Sequence, residues 1–415
     1  MSATDSASST PSPSTTDSSS RIPRVSATLR HDERVTPLEL FFDLVFVLAL
    51  TQCTTLMADR TLRIAPWEAV LEGVMVLGVL WWSWGGYAWL TSVVDPEEGA
   101  VRLVMFAAMG AFLVAALCVP EAFGAHALLF ACAYAVVRAA HIALFMLGSR
   151  ENAALRRSVL GLAGSTAIGV SLLLIAAFTS HGVQLGLWGV ALVLDVGGPF
   201  LFGAEGWQLR PAHFAERHGL IVIIALGESI VALGVGAQDH IDAGVVVAAV
   251  LGLVVAAALW WVYFDVTAIA AERRLSQASE GRERNEIARD SYSYLHFLMI
   301  AGIALLAFGL KITIAHVTDH LALVPAAGLL GGAALYLLAL VAFRLRNMHT
   351  LSVRRLACAV VLLALIPVGV RLPALAVLGV LAVLLCMLIA YEALRYAEQR
   401  ERVRHQLAPL SPPGA

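Results

Sequence analysis

The feature that most constrains this chain is a repetition: between residues 36 and 394, apolar runs of about 20 residues follow one another with only short polar breaks. A run of that length is what a helix needs to cross the hydrocarbon core of a bilayer. In lipid the backbone must satisfy its own hydrogen bonds, which leaves helices or closed barrels. The runs are far longer than barrel strands. The composition agrees: 59% of residues are hydrophobic, 14% are charged, and the mean hydropathy is +0.80. Soluble domains carry about 25% charged residues. The expected fold is all-α, a polytopic transmembrane bundle.

Twelve spans are expected, near 36–58, 66–92, 100–119, 122–148, 155–179, 184–204, 212–237, 242–270, 290–314, 321–343, 351–369 and 373–394. Residues 1–32, opening "MSATDSASSTPSPSTTDSSS", are Ser/Thr/Pro-rich with no apolar stretch, which reads as a disordered tail rather than a signal peptide. Residues 397–415 read as a second tail. The stretch "AERRLSQASEGRERNEIARD" (271–290) mixes both charge signs and reads as a solvated helix extension. The five cysteines all lie in apolar segments, with no spacing that suggests a metal site or a disulfide framework.

Of the 28 Lys and Arg residues, 23 fall in the N-terminal tail, the even-numbered loops, the first few residues of the spans that follow those loops, or the C-terminal tail, while the odd-numbered loops hold only Arg60, Arg63 and Arg371. Basic residues stay on the cytoplasmic side, so both termini are expected there, in the bacterial inner membrane. A duplication is also legible. Glu33-Arg34 precedes span 1 and Glu216-Arg217 opens span 7; Trp pairs at Trp81 and Trp260 mark spans 2 and 8. The offsets are 183 and 179 residues. Two parallel six-helix halves, 33–205 and 206–396, would follow.

The functional signal is charge where charge is costly. Span 1, "TPLELFFDLVFVLALTQ", carries Glu39 and Asp43 one turn apart on one face. Span 4 carries Arg138 and His141, span 6 Asp195 and span 7 Glu228. Two carboxylates so close in a dry site stay ionised only with a cation between them; otherwise one holds a proton. Similar depths pair Arg138 with Asp43 or Glu228, as a cluster binding a proton, an ion or a small molecule, or as a plain cross-link between helices. Asp265 and His296 read as interfacial. Pro199 removes the amide that would bond the carbonyl of Asp195, so "DVGGPF" is expected to kink or break span 6. Trp82, Trp84, Tyr87, Trp261, Tyr263 and Asp265 are candidates to line a cavity, or else to pack against neighbours. No nucleophile elbow, zinc-protease, phosphate-loop or dinucleotide motif occurs, so neither enzyme activity, nor a cofactor, nor a nucleic-acid partner is expected.

"LELFFDLVFVLALTQ", followed downstream by "YAVVRAAHIALF", the Asp195 segment, "ERHGLIVIIALGESIVALG" and "WWVYFD", resembles the bacterial low-temperature-requirement A family over roughly residues 30 to 400. The resemblance implies a polytopic inner-membrane protein linked by name to growth in the cold, a stress response, and implies no substrate. "FFD" also looks like the "FSD" filter motif of a potassium-channel family, but its middle residue is Phe42 and Pro37 stands where that motif has Arg. Three functions are therefore open: a proton-coupled transporter, a structural or sensory membrane protein, and an ion channel. The topology is testable: a reporter active only in the periplasm, fused after residue 400, should stay silent, and activity would make the span count wrong by an odd number.

Overall fold

The structure is a computed structural model and describes residues 34–61, 65–201, 206–237 and 241–395. The two tails inferred at 1–32 and 397–415 lie outside the described residues. Twelve helices follow one another: α1 (Pro37–Thr61), α2 (Pro66–Val93), α3 (Gly99–Cys118), α4 (Ala127–Gly148), α5 (Ala153–Ala176), α6 (His181–Leu201), α7 (Pro211–Gly236), α8 (Ala243–Gln277), α9 (Arg282–Ala315), α10 (Leu323–Met348), α11 (Val353–Gly369) and α12 (Ala374–Arg395). Eleven are long and apolar enough to cross a membrane; α11, at 17 residues, is the short one. The chain is a multi-pass membrane protein.

Local chemistry sets the boundaries. Pro37, Pro66 and Pro211 sit at helix starts, where the missing amide costs nothing. Asn152 and Asp242 cap α5 and α8 by accepting from Leu155 N (3.0 Å) and Val245 N (2.8 Å). His349 ends α10 in the left-handed region, at φ 54°. α8 bends after Phe264, and its last stretch, Thr267–Gln277, turns an amphipathic face onto α7 and α10. The 271–290 segment is two helix ends joined by a turn at residues 278–281, laced with ion pairs, among them Arg274–Glu283 and Arg282–Glu286.

Packing sorts the helices into an inner and an outer set. The most apolar stretches of α2, α9 and α10 are 72% buried, against 33% in α5 and 28% in α6. α1 packs on α2, α3, α7 and α9, so it is the hinge between the first six helices and the rest. Large apolar side chains such as Phe178, Val193 and Leu103 stand exposed on the outer helices, as a lipid-facing surface requires. α6 runs unbroken to Leu201 with Pro199 inside it, so of the expected kink or break the break is absent; Gly198 packs close to Ser165 of α5, where a Cβ would lie 3.1 Å from its hydroxyl. α9 and α10 each contain a π-helical stretch, Ala288–Leu295 and Ala327–Gly331.

Between α9 and α10 the backbones nearly touch. A Cβ on Gly302 would lie 2.8 Å from the carbonyl of Gly332, and one on Gly332 would lie 2.5 Å from Leu306 N. Small residues allow such approach in membranes, where packing rather than hydrophobicity drives association. Gly302→Val or Gly332→Val should therefore lower the melting temperature of the detergent-purified protein, at a cost of about 1–3 kcal/mol or more. Gly110→Ala, which meets open space, should leave it unchanged. Equal melting of all three would show that the close approach is unimportant.

Candidate functional site

α1 begins with a capping box. Glu39 Oε2 accepts from Thr36 N (2.9 Å) and Thr36 Oγ1 (3.1 Å), while Glu39 N donates to Thr36 Oγ1 (3.3 Å). That leaves Oε1 free to turn inward, where it meets His213 Nε2 at 2.9 Å and an Arg217 amine at 3.3 Å. One turn on, Asp43 Oδ1 accepts from the other Arg217 amine (3.1 Å) and from Trp84 Nε1 (2.7 Å). Arg217 also donates to Thr91 Oγ1 (2.5 Å) and lies over the rings of Phe42 and Trp84. All four ionisable side chains are fully buried.

A cation does lie between the two carboxylates, but it is Arg217 of α7 rather than Arg138. α4 faces α2, α3 and α5, whereas α7 packs directly on α1. Depth along the membrane could not make that choice. Arg138 instead meets Asp195 of α6 (3.4 Å) and donates to Thr166 of α5 (2.6 Å); Tyr134 OH donates to the other Asp195 oxygen (3.1 Å). Glu228 forms a third set, accepting from Thr51 and, at 2.8 Å, from Thr54 of α1. Lys311 of α9, which reaches Thr55 (3.4 Å), is the cation acting on it through space. The expected single cluster is thus three separate sets.

A narrow cavity of about 90 Å³ opens beside the second set. Arg138 and His141 line it, one turn apart on α4. The His141 ring lies against the backbone of Gly86, where a Cβ would come within 2.8 Å, and neither ring nitrogen makes a well-formed hydrogen bond. The Nε of Arg138 is likewise buried without a partner. Tryptophans form the walls. Trp81 Nε1 donates to the carbonyl of Ser293 (2.8 Å) and Trp89 Nε1 to its hydroxyl (3.0 Å), which fixes both rings against the π-helical stretch of α9. Trp207 and Asn285 stand between this cavity and a wider vestibule of about 670 Å³ lined by Arg210 and Arg284. The vestibule lies at the face where α1, α7 and α9 begin.

Of the aromatic candidates, Trp82 lines the cavity. Tyr263 lines a smaller cleft between α7 and α8. Trp84 and Tyr87 belong to the packed core beside Arg217, and Tyr87 OH donates to the Val137 carbonyl (2.9 Å). Trp261 and Asp265 are half-buried at the bend of α8 and line neither cleft. His296, expected at the interface, is fully buried and bonded to Tyr263 OH (2.8 Å) and the Ser291 carbonyl (2.9 Å). The π-helical stretch of α9 turns His296 into the protein interior, against Tyr263 of α8. At the opposite face, Glu68, Glu72 and His181 bring ligand atoms within 4.8 Å of one another, a spacing a metal ion could use; Arg60 already neutralises Glu72.

Sequence reasoning missed Arg217 and His213 as site residues. The signal existed: Arg217 was visible as half of a repeated Glu-Arg pair, and four residues separate it from His213, which puts both on one face of α7.

The sequence profile of a family described as "Bacterial low temperature requirement A protein (LtrA)" matches residues 34–390. A protein of Rhizobium meliloti (strain 1021), titled "Uncharacterized protein RA0937", is 31% identical over 291 residues, covering 67% of this chain and 69% of that protein. No solved structure matches.

Removing Arg217 should be the most damaging change in the molecule. Arg217→Met strands two buried carboxylates, and breaking one side of a buried pair costs about 3–5 kcal/mol. The double variant Arg217→Met/Asp43→Asn should recover part of the loss. Thermal unfolding of the purified chain checks both, and a wild-type melt for Arg217→Met would show that the pair holds nothing together.

Proposed function

Given that this chain belongs to the bacterial low temperature requirement A (LtrA) family, we propose that it is a proton-coupled transporter of the inner membrane, with both termini cytoplasmic and its substrate site between two six-helix halves. One observation carries the reading: a tryptophan-walled cavity leads from a vestibule at one face to buried, incompletely satisfied polar groups on α4. Buried ionisable groups beside a water-accessible cavity at mid-depth are where transporters hold substrates and protons. Arg138 and His141 would meet the substrate, and Asp195 would hold Arg138. Glu228 is the candidate proton carrier. It sits in the half of α7 away from the vestibule, hydrogen-bonded by two hydroxyls that serve a carboxylate or a carboxylic acid equally.

A second reading has its own support. Glu39, Asp43, His213 and Arg217 form a fully buried, ion-paired set that lines none of the clefts described above, which suits a structural staple. We assign that role to this set alone.

The test uses proteoliposomes loaded with a pH-sensitive dye. A dialysable small-molecule extract of bacterial cytoplasm, applied to wild-type vesicles, should move protons; empty vesicles should not respond. Glu228→Gln keeps the shape and the threonine contacts. It should insert and melt like the wild type yet lose the proton signal. Wild-type vesicles that never move protons would overturn the reading.

A further inference from the structure

The chemistry of the cavity narrows what can occupy it. Its lining contains two guanidinium groups, Arg138 and Arg289, and no Asp or Glu. Each is balanced from behind: Arg138 by Asp195, and Arg289 by Asp290, which Arg346 also engages at 3.1 Å. The cavity itself therefore presents guanidinium and no carboxylate: a cation would face two guanidiniums with no carboxylate in the lining, and charge favours an anion.

The walls specify the body of the ligand. Trp81, Trp82, Trp89 and Trp207 present aromatic surface, and the indole hydrogen bonds of Trp81 and Trp89 to Ser293 hold those rings in place before anything binds. Rigid aromatic walls favour a flat apolar body, since neither side must be ordered on binding. An organic cation could also stack on tryptophan, but the two arginines oppose it.

The groups left unsatisfied supply the polar contact. His141 offers two ring nitrogens and Arg138 its Nε, all buried and without a well-formed hydrogen bond. Buried polar atoms are almost always partnered. On one face of one helix, beside one cavity, Arg138 Nε–H and the one N–H of a neutral His141 mark the place where an acceptor group finds two donors.

Resting on the reading of this cavity as the substrate site, we infer that it binds a small aromatic monocarboxylate, its carboxylate on Arg138 and His141 and its ring between the tryptophans. The ligand enters past Trp207 and Asn285 from the vestibule.

Equilibrium binding of indole-3-acetate to the full chain in nanodiscs, without any gradient, tests this apart from transport. Saturable binding is expected in discs lacking anionic lipid. Phenylacetate should compete, while butyrate, which has no ring, and phenethylamine, which has the opposite charge, should compete at least tenfold more weakly, a difference of about 1.4 kcal/mol. His141→Phe keeps an aromatic ring, one atom larger, and removes both nitrogens. It should weaken binding roughly tenfold, the scale of a lost hydrogen bond to a charged group, without moving the melting temperature. No binding, equal competition by butyrate or by phenethylamine, displacement by phosphatidylglycerol alone, or unaltered binding by His141→Phe would each overturn the assignment. Binding without proton movement would leave the ligand class standing and remove the transporter; proton movement by the cytoplasmic extract without binding of aromatic acids would do the reverse.

Discussion

The arrangement of this bundle depends on one guanidinium. Glu39 and Asp43 lie on a fully buried face of α1 where no water can solvate them, and Arg217 satisfies both at once because its fork presents separate N–H groups in fixed directions. A lysine at that position would offer a single point of charge. The same group reaches Thr91 and the Tyr87 carbonyl, so α1, α2 and α7 are tied by one side chain. In a membrane, where apolar surface does not drive helices together, such polar contacts carry a larger share of the specificity.

From that tie the other sets follow. With α1 held against α7, Thr51 and Thr54 come opposite Glu228. With α2 held against α1, Trp84 is committed to Asp43, while Trp81 and Trp89 turn the other way and meet Ser293 of α9. One tryptophan-rich segment therefore serves both the packed core and the cavity wall. The π-helical stretch of α9 contributes here. It brings Ser293 to the two indoles and places Ser291 and His296 in contact, geometry that the regular helical repeat would rotate away.

The three charged sets differ in what adjoins them, and that difference separates structure from candidate chemistry. Around Arg217 the partners lie in the packed core and line none of the clefts described above, although Asp43 Oδ2 and Arg217 Nε are buried without a partner. Around Arg138 the cluster is open: Asp195 and Thr166 occupy one end of the guanidinium, while its Nε and the neighbouring imidazole lie beside a cavity with nothing to bind. Leaving such groups unsatisfied is costly. A protein keeps that cost where another molecule removes it.

The class and the number of helices were legible in the sequence. Lipid forces each apolar run to satisfy its own backbone, so length and hydropathy are enough to place the helices, and burying an ionisable side chain is costly enough that Glu39, Asp43, Arg138, Asp195 and Glu228 stand out within their spans, whereas Arg217 and His213, near a span end, do not. The Thr36–Glu39 capping box and the pairing of faces at Arg138 and His141 are local, and local spacing is legible. Partner choice is not. Arg138 and Arg217 lie at usable depths, and nothing in either segment says which one meets Asp43; that was decided by α7 rather than α4 packing on α1. The continuity of α6 through Pro199, the burial of His296 and the grouping of Glu68, Glu72 and His181 were equally hidden, because each depends on a neighbouring helix. Sequence reports what a residue costs inside a membrane, and only the tertiary packing decides which distant side chain offsets that cost.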